Sequence, residues 1–524
     1  MAAGMPARRW FRGGGSVMCT LQQGSPQQFT ALRDLLTDAD FKAPAVCRRL
    51  GIESIYDFRS IRDGRDVALE TIDALDLLIR LFMDVELVDR ATLQELLSAD
   101  GIELLQNLGL LARYQSDPKQ CHAAVLMYPT ESIWIVSDLN VSPIGPAGPP
   151  LPFDAVYPAV TRNTRHFLAS LPPTPCERFL ELCAGTGIAA LLASRYAAWT
   201  WAVDITERAT RFAQFNAALN GIANCTAVQG DLYEPVKGLT FDRIVAHPPY
   251  MPSLEQKYIF RDGGEDGEQI TRRIISELPD RLTLGGRLYC TCMLTDRKGV
   301  RAEERVRSML GERESEFDVA VVTHQTFQPT EYYLGLALAG RASLEEVAQR
   351  HEIFDRLEVE HLVYCSVVVQ RRANVRSPFT ARRQAGPQTG VPDVEWLLRW
   401  EAVAARSEVV RALIDSRPTA SSHVSLKLTH RMDAGGWTPN ECLLTTATPF
   451  GLEAKCPLWT PTLLARCDGQ RTCREHLEFL KETGAVPPDA PETEFVKLIR
   501  SLIAGGFLEL AEFSVGTGEV EAPR

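Results

Sequence analysis

Residues Phe179 to Ala193 read FLELCAGTGIAALLA. A short apolar run ends in Ala184-Gly185-Thr186-Gly187 and gives way at once to residues that favour a helix. Glycines at such a junction let the chain bend sharply and let a ligand approach the free amides at the helix start. Strand, glycine bend and helix form the opening unit of a doubly wound sheet, so the expectation is an α/β fold. Taken alone the bend is weak evidence of a site, because many α/β proteins carry one without a ligand.

The next three strand-like runs add to it. TWAVDIT puts Asp204 and Ile205 about 20 residues beyond the glycines, where a carboxylate takes the ribose hydroxyls of a nucleoside. VQGDLYEP delivers Asp231 and Leu232, and DRIVAHPPYMP delivers His247-Pro248-Pro249-Tyr250. Prolines cannot donate to a sheet ladder, so the last run must end at His247 and continue as a stiff rim. Four strand ends thus bring a glycine bend, two acids and an aromatic rim to one edge, where open α/β sheets keep their ligands.

Together these residues resemble a class I S-adenosylmethionine-dependent methyltransferase of the small-domain type, as in release-factor glutamine and rRNA guanine N-methyltransferases. The resemblance implies a Rossmann-like seven-stranded doubly wound methyltransferase sheet and S-adenosyl-L-methionine as cofactor. It implies that Glu181 faces the methionine amino group and that Cys183, Ala184, Gly185, Thr186 and Gly187 form the bend. Asp204 would hold the ribose, Asp231 with Leu232 the adenine, and Ile205 counts as a further cofactor contact. A dinucleotide dehydrogenase, the structural rival, needs a third glycine deeper in the helix, near Ala190 here, and gives no reason for the rim.

The catalytic candidates His247, Pro248 and Tyr250 resemble the family's Asn-Pro-Pro-Tyr motif. There the amide and the first proline's carbonyl accept hydrogen bonds from the target nitrogen while the ring covers its plane. His247 departs from that motif and is also counted among the cofactor contacts. It either replaces the asparagine's hydrogen bond or acts as a base toward a hydroxyl, thiol or amine. FRDGGEDGEQITRRII, with Arg261, resembles the glycine loop and helix that follow the motif, and AVYPAVTRNTRHF the helix capping the cofactor. Tyr157, Arg162 and Pro249 join Arg261 as candidate substrate contacts, with Tyr157, Arg162 and Thr164 equally readable as parts of a surface helix. No metal is required.

Around this core, RFLELC, TWAVDI, CTAVQGDL, DRIVAH, GRLYCTCML, FDVAVVTH and HLVYCSVVVQ make seven strand candidates, with SLEEVAQRHEIFDRL a helix before the last. The expected organisation is a loose tail over 1–27, with Met18 a candidate start, and a helical, winged-helix-like domain over 28–140 ending in the hairpin HAAVLMYP/SIWIVSD. A linker follows over 141–154, the methyltransferase domain over 155–373, an Arg-rich linker over 374–392 and a small α+β, winged-helix-like domain over 393–524.

The chain has 524 residues, 45% hydrophobic and 23% charged, which suits several soluble domains. A net charge of −11 argues against a surface given over to nucleic acid. Thirteen cysteines without a CxxC pair suit a reducing cytoplasm, and no window is long and apolar enough to span a membrane. The expected activity is therefore N-methylation of a protein side chain or small molecule. Alternatives are an rRNA N-methyltransferase using RRANVRSPFTARR as a basic groove, an O-methyltransferase of a natural product with His247 as base, and a non-enzymatic cofactor-binding regulator. Oligomeric state is not legible.

Overall fold

The computed structural model describes residues 21–58, 73–130, 132–139, 151–340, 342–406, 408–433 and 435–511. Most of the expected tail (1–20) and of the first linker (141–150) lies outside the described residues. The chain divides into two compact units, Met1–Cys292 and Met293–Arg524.

In the first unit, five strands pair in parallel: β1 (Cys176–Leu182), β2 (Ala197–Asp204), β3 (Cys225–Gln229), β4 (Phe241–Ala246) and β5 (Leu282–Arg297), the last running on into the second unit. Their order is β5-β4-β1-β2-β3, and the four pairings are parallel. From β1 the chain winds outward through β2 and β3, then crosses back to β4 on β1's other flank. The carboxyl ends of β1 and β4, where Leu182 pairs with Ala246, are thus a topological switch point, the crevice in which such sheets bind ligands.

Three helices position the site: α1 (Arg162–Ala169), α2 (Ile188–Ala193) and α3 (Glu207–Leu219). The residues before α1 form short helices, a three-stranded antiparallel sheet and the expected hairpin, Leu126–Thr130 with Ile133–Ser137. This leader does not close on a core of its own. Its apolar cluster runs from Leu21 through Phe82 and Ile135 to Phe212, Phe215 and Leu219 of α3, and Phe29 meets Phe215 edge-on at 5.1 Å. Polar groups seal the same junction. Asn216, 0% exposed, accepts from the Val136 amide at 2.8 Å and donates to the Val136 carbonyl at 3.1 Å, while Asn220, one turn on, grips the Trp134 backbone in the same way. Arg208 and Asp138, both buried, form a bidentate pair. The element order that suggested a winged helix is present, but these contacts bind the leader to the sheet domain along one face.

In the second unit, β6 (Phe317–Phe327) and β7 (Val359–Arg371) pair antiparallel, with the expected helix Leu344–Arg356 before β7. The Arg-rich stretch 374–392 is not a linker throughout: Thr380–Gln384, here β8, adds a parallel strand to β6. It can do so because its arginines meet buried or half-buried acids, Arg382 on Asp296 at 2.7 Å and Arg383 on Glu401 at 2.5 Å. Beyond it, Ser425–Asp433, Gly436–Thr446 and Leu452–Cys456 form a three-stranded antiparallel sheet, and the helix Glu492–Ala504 is followed by the Gly-Gly stop and a short strand, as the sequence implies.

Candidate functional site

The bend after β1 is built around three left-handed residues, Cys183, Gly185 and Gly187, with φ of 54°, 53° and 76°. The two glycines do different work. A Cβ on Gly187 would lie 3.1 Å from the Ala213 Cβ of α3, so its bareness serves packing. A Cβ on Gly185 would meet nothing within 4 Å, so the space in front of it is open. Cys183 holds a conformation that costs an ordinary side chain about 1–2 kcal/mol.

Asp204, at the end of β2, is tied to this bend: its Oδ2 accepts from the Gly185 amide at 2.9 Å, and its Oδ1 from the Thr206 amide and hydroxyl at 3.0 and 3.1 Å. Desolvation raises its pKa from the ordinary aspartate value. The sequence therefore brings Gly185 and Asp204 together as expected. Beside Asp204, Ile205 is 37% exposed.

Glu181 is engaged by the chain itself. Its carboxylate, 3% exposed, accepts from the amides of Ala189 and Ala190 at 3.3 and 2.8 Å, so it anchors the first turn of α2. Burial pushes its pKa up to about 8. Asp231 bonds Arg273 at 2.9 Å, and Leu232 is buried in a left-handed turn with φ of 52°. Ala184 and Thr186 are buried within the bend, where the Thr186 carbonyl accepts from Asn216 at 3.0 Å.

The rim after β4 is held from two sides. Above it, α1 offers two side chains one turn apart. Phe167 stacks on the His247 ring with centroids 5.4 Å apart, and Asn163 donates to the Tyr250 hydroxyl at 2.7 Å. His247 in turn stacks on Tyr250 at 5.7 Å, so the imidazole lies between two aromatic rings. Its Nε2 is buried with no hydrogen-bond partner, and desolvation alone lowers its pKa to about 4. The ring is neutral at pH 7.

Below the rim lies the glycine loop. The Met251 amide donates to the Arg261 carbonyl and the Gly263 amide to the Met251 carbonyl, and a Cβ on Gly263 would fall 2.7 Å from the Pro249 carbonyl oxygen. Asp262, buried, accepts from the amides of Lys257 and Tyr258 and from Arg261 Nε. Arg261 is thus engaged within its own loop. Tyr157, 40% exposed, stacks on Phe260 at 5.0 Å, and Arg162 is exposed at the start of α1. Pro248 is buried and Pro249 half-buried. Sequence reasoning missed Asn163, Phe167, Asp262 and Asn216. Only the four-residue spacing of Asn163 and Phe167, on the helix before β1, hinted at a shared face.

Residues 159–313 match the family model of the methyltransferase small domain. The likeness to a methyltransferase small domain is carried by this segment. The ribosomal protein uL3 glutamine methyltransferase of Bradyrhizobium diazoefficiens is 36% identical over 132 residues, covering 22% of this chain and 41% of that protein. The release factor glutamine methyltransferase of Thermodesulfovibrio yellowstonii is 32% identical over 126 residues, covering 22% of this chain and 45% of its own. The chain thus spans about half the length, or less, of these relatives. Among solved structures, the ribosomal protein L11 methylase of Lactobacillus delbrueckii aligns at a TM-score of 0.22 and 18% identity, covering 38% of this chain and 71% of that one. The matched span includes the bend, the strand-end acids and the rim, and leaves the leader and most of the second unit outside it.

Proposed function

We propose that the chain is an S-adenosylmethionine-dependent methyltransferase that methylates a nitrogen on a protein side chain. The observation that carries this is the pairing of an open, glycine-lined bend, pinned by Asp204, with a rigid aromatic rim on the adjoining strand end.

The residues present fit the cofactor. The open space at Gly185 admits a ligand against backbone, Asp204 supplies a carboxylate for ribose hydroxyls, and exposed Ile205 supplies an apolar face for adenine. Asp231 and Leu232 stand one strand further on. When bound, the cofactor supplies an electrophilic methyl group on a sulfonium. The chain's part is to place the acceptor, and positioning of this kind supplies much of a transfer rate. Tyr250, fixed by Asn163 and by the His247 ring, offers a flat face against which a planar nitrogen group lies. His247 is neutral and adds no positive charge beside a cationic donor. Glu181 stays out of the chemistry and keeps α2 in register with the bend.

The same depressed value weighs against O-methylation with His247 as base. An imidazole whose conjugate acid has a pKa of about 4 draws a proton from a hydroxyl poorly. Four of the five arginines in the stretch proposed for RNA, Arg371, Arg376, Arg382 and Arg383, each face a carboxylate of the chain, which weighs against that alternative.

Calorimetric titration of the full chain with S-adenosylmethionine and with its demethylated product tests the cofactor. One site per chain is expected, and no heat with either would overturn the reading. Labelled methyl transfer to glutamine-containing peptides, compared with RNA and with hydroxylated small molecules, tests the acceptor. Label recovered only on oxygen or only on RNA would overturn the protein-nitrogen assignment while leaving the cofactor reading intact.

A further inference from the structure

The C-terminal sheet of the second unit holds a feature that methyl transfer does not use. Cys442, on the strand Gly436–Thr446, and Cys456, at the end of Leu452–Cys456, are direct cross-strand partners in the antiparallel register, and their sulfurs lie 3.1 Å apart. We infer that Cys442 and Cys456 are a peroxide-responsive dithiol that closes reversibly into a cross-strand disulfide.

The geometry favours closure with little movement. Opposed residues on antiparallel strands keep their Cα atoms about 4.5–5.5 Å apart, within the span of about 4.4–6.8 Å that disulfides bridge. Only the sulfurs must close from contact to a bond of about 2.05 Å. The two thiols differ in access. Cys442 is 1% exposed, against the core of its sheet, whereas Cys456 is partly exposed just before Pro457. Burial and the neighbouring sulfur push the Cys442 thiol up to about 11, which keeps it protonated and unreactive on its own.

Roles follow from that difference. The Cys456 thiolate attacks one oxygen of hydrogen peroxide, the O–O bond breaks, and the departing hydroxide takes up a proton to leave as water. Cys456 is then a sulfenic acid. The Cys442 sulfur attacks it, the S–O bond breaks as the S–S bond forms, and the second hydroxide leaves with the Cys442 proton. Two thiols and one peroxide yield one disulfide and two waters, and a dithiol reductant reverses the step.

Lys455 separates the two cysteines for trypsin, so a bridge joins the fragments Met432–Lys455 and Cys456–Arg466. The full chain is treated with increasing hydrogen peroxide, alkylated and digested without reductant, and the digest is weighed by mass spectrometry. The joined pair, lighter by two hydrogens than its separate parts and released by dithiothreitol, is expected to form first among the chain's cysteines. In Cys442→Ser, Cys456 should instead accumulate as a sulfenic acid that dimedone traps. The proposal is overturned if other cysteines oxidise while these two fragments stay apart. It is equally overturned if the link forms as fast in urea, where the strand register is gone. Either result stands apart from cofactor binding.

Discussion

The bend after β1 and the rim after β4 end on paired residues of neighbouring strands, yet they are built in opposite ways. The bend is left open at Gly185 and is held from behind, by Asp204 and by Asn216 on the Thr186 carbonyl. The rim is closed above by Phe167 and Asn163 and below by the glycine loop. One strand end keeps room for a ligand; the other spends its contacts on fixing rings. Damage to the rim should therefore show in stability, and damage to the bend in cofactor binding.

The largest effect should come from Phe167→Ala. It empties a buried ring position beside His247 and should cost about 3–5 kcal/mol in denaturant unfolding, with binding of the demethylated cofactor by the folded fraction changed only a few-fold. Binding lost at full stability would break the contrast. Acid sharpens it next. His247 has a folded-state pKa of about 4, below the 6.5 of a free imidazole, so the unfolded chain takes up a proton that the folded chain refuses. The stability this confers is complete above pH 6.5 and is lost as pH falls from 6.5 toward 4. Across that window the wild-type chain should lose about 3 kcal/mol more than His247→Asn, and parallel pH profiles of unfolding would show that the ring is not held neutral.

On the other side of the comparison, Asp204→Asn should weaken cofactor binding by at least about 100-fold, or about 2.7 kcal/mol, with a melting temperature close to wild type. Retained affinity in calorimetry would remove Asp204 from the site. The two glycines divide the same way. Gly185→Ala adds a methyl group to open space and Gly187→Ala adds one 3.1 Å from Ala213, so Gly187→Ala should unfold more easily by about 1–3 kcal/mol of crowding while Gly185→Ala loses more binding. Equal melting temperatures would show that the bend has no such division. The smallest effect is that of Asn163→Ala, which removes one neutral hydrogen bond to Tyr250 worth about 1 kcal/mol. Slower methyl transfer at unchanged cofactor affinity is the expected readout.

The sequence read well wherever the signal is local. Seven strands alternating with helices, the Gly185 bend and its carboxylate on the next strand are all features of short windows, and all are present. It read poorly wherever a partner lies far along the chain. Nothing near Thr380–Gln384 announces that its arginines meet Asp296 and Glu401, so a polar run that forms β8 looks like a linker. Glu181 is ambiguous for the opposite reason: a carboxylate before a glycine bend suits a ligand or a helix start, and only three dimensions choose the amides of Ala189 and Ala190. The aromatic sandwich around His247 needs Phe167, eighty residues upstream, to be seen at all.

Asn216 sets a practical limit on how this molecule can be dissected. A fragment trimmed to the matched residues would start downstream of Val136 and strip that amide of its strand partner, exposing Phe212 and Phe215 at the same stroke. The loosened end would be the Thr186 carbonyl, next to Gly185 in the bend after β1. Any minimal folded piece must therefore carry the leader with it, as a brace and not as an optional appendage.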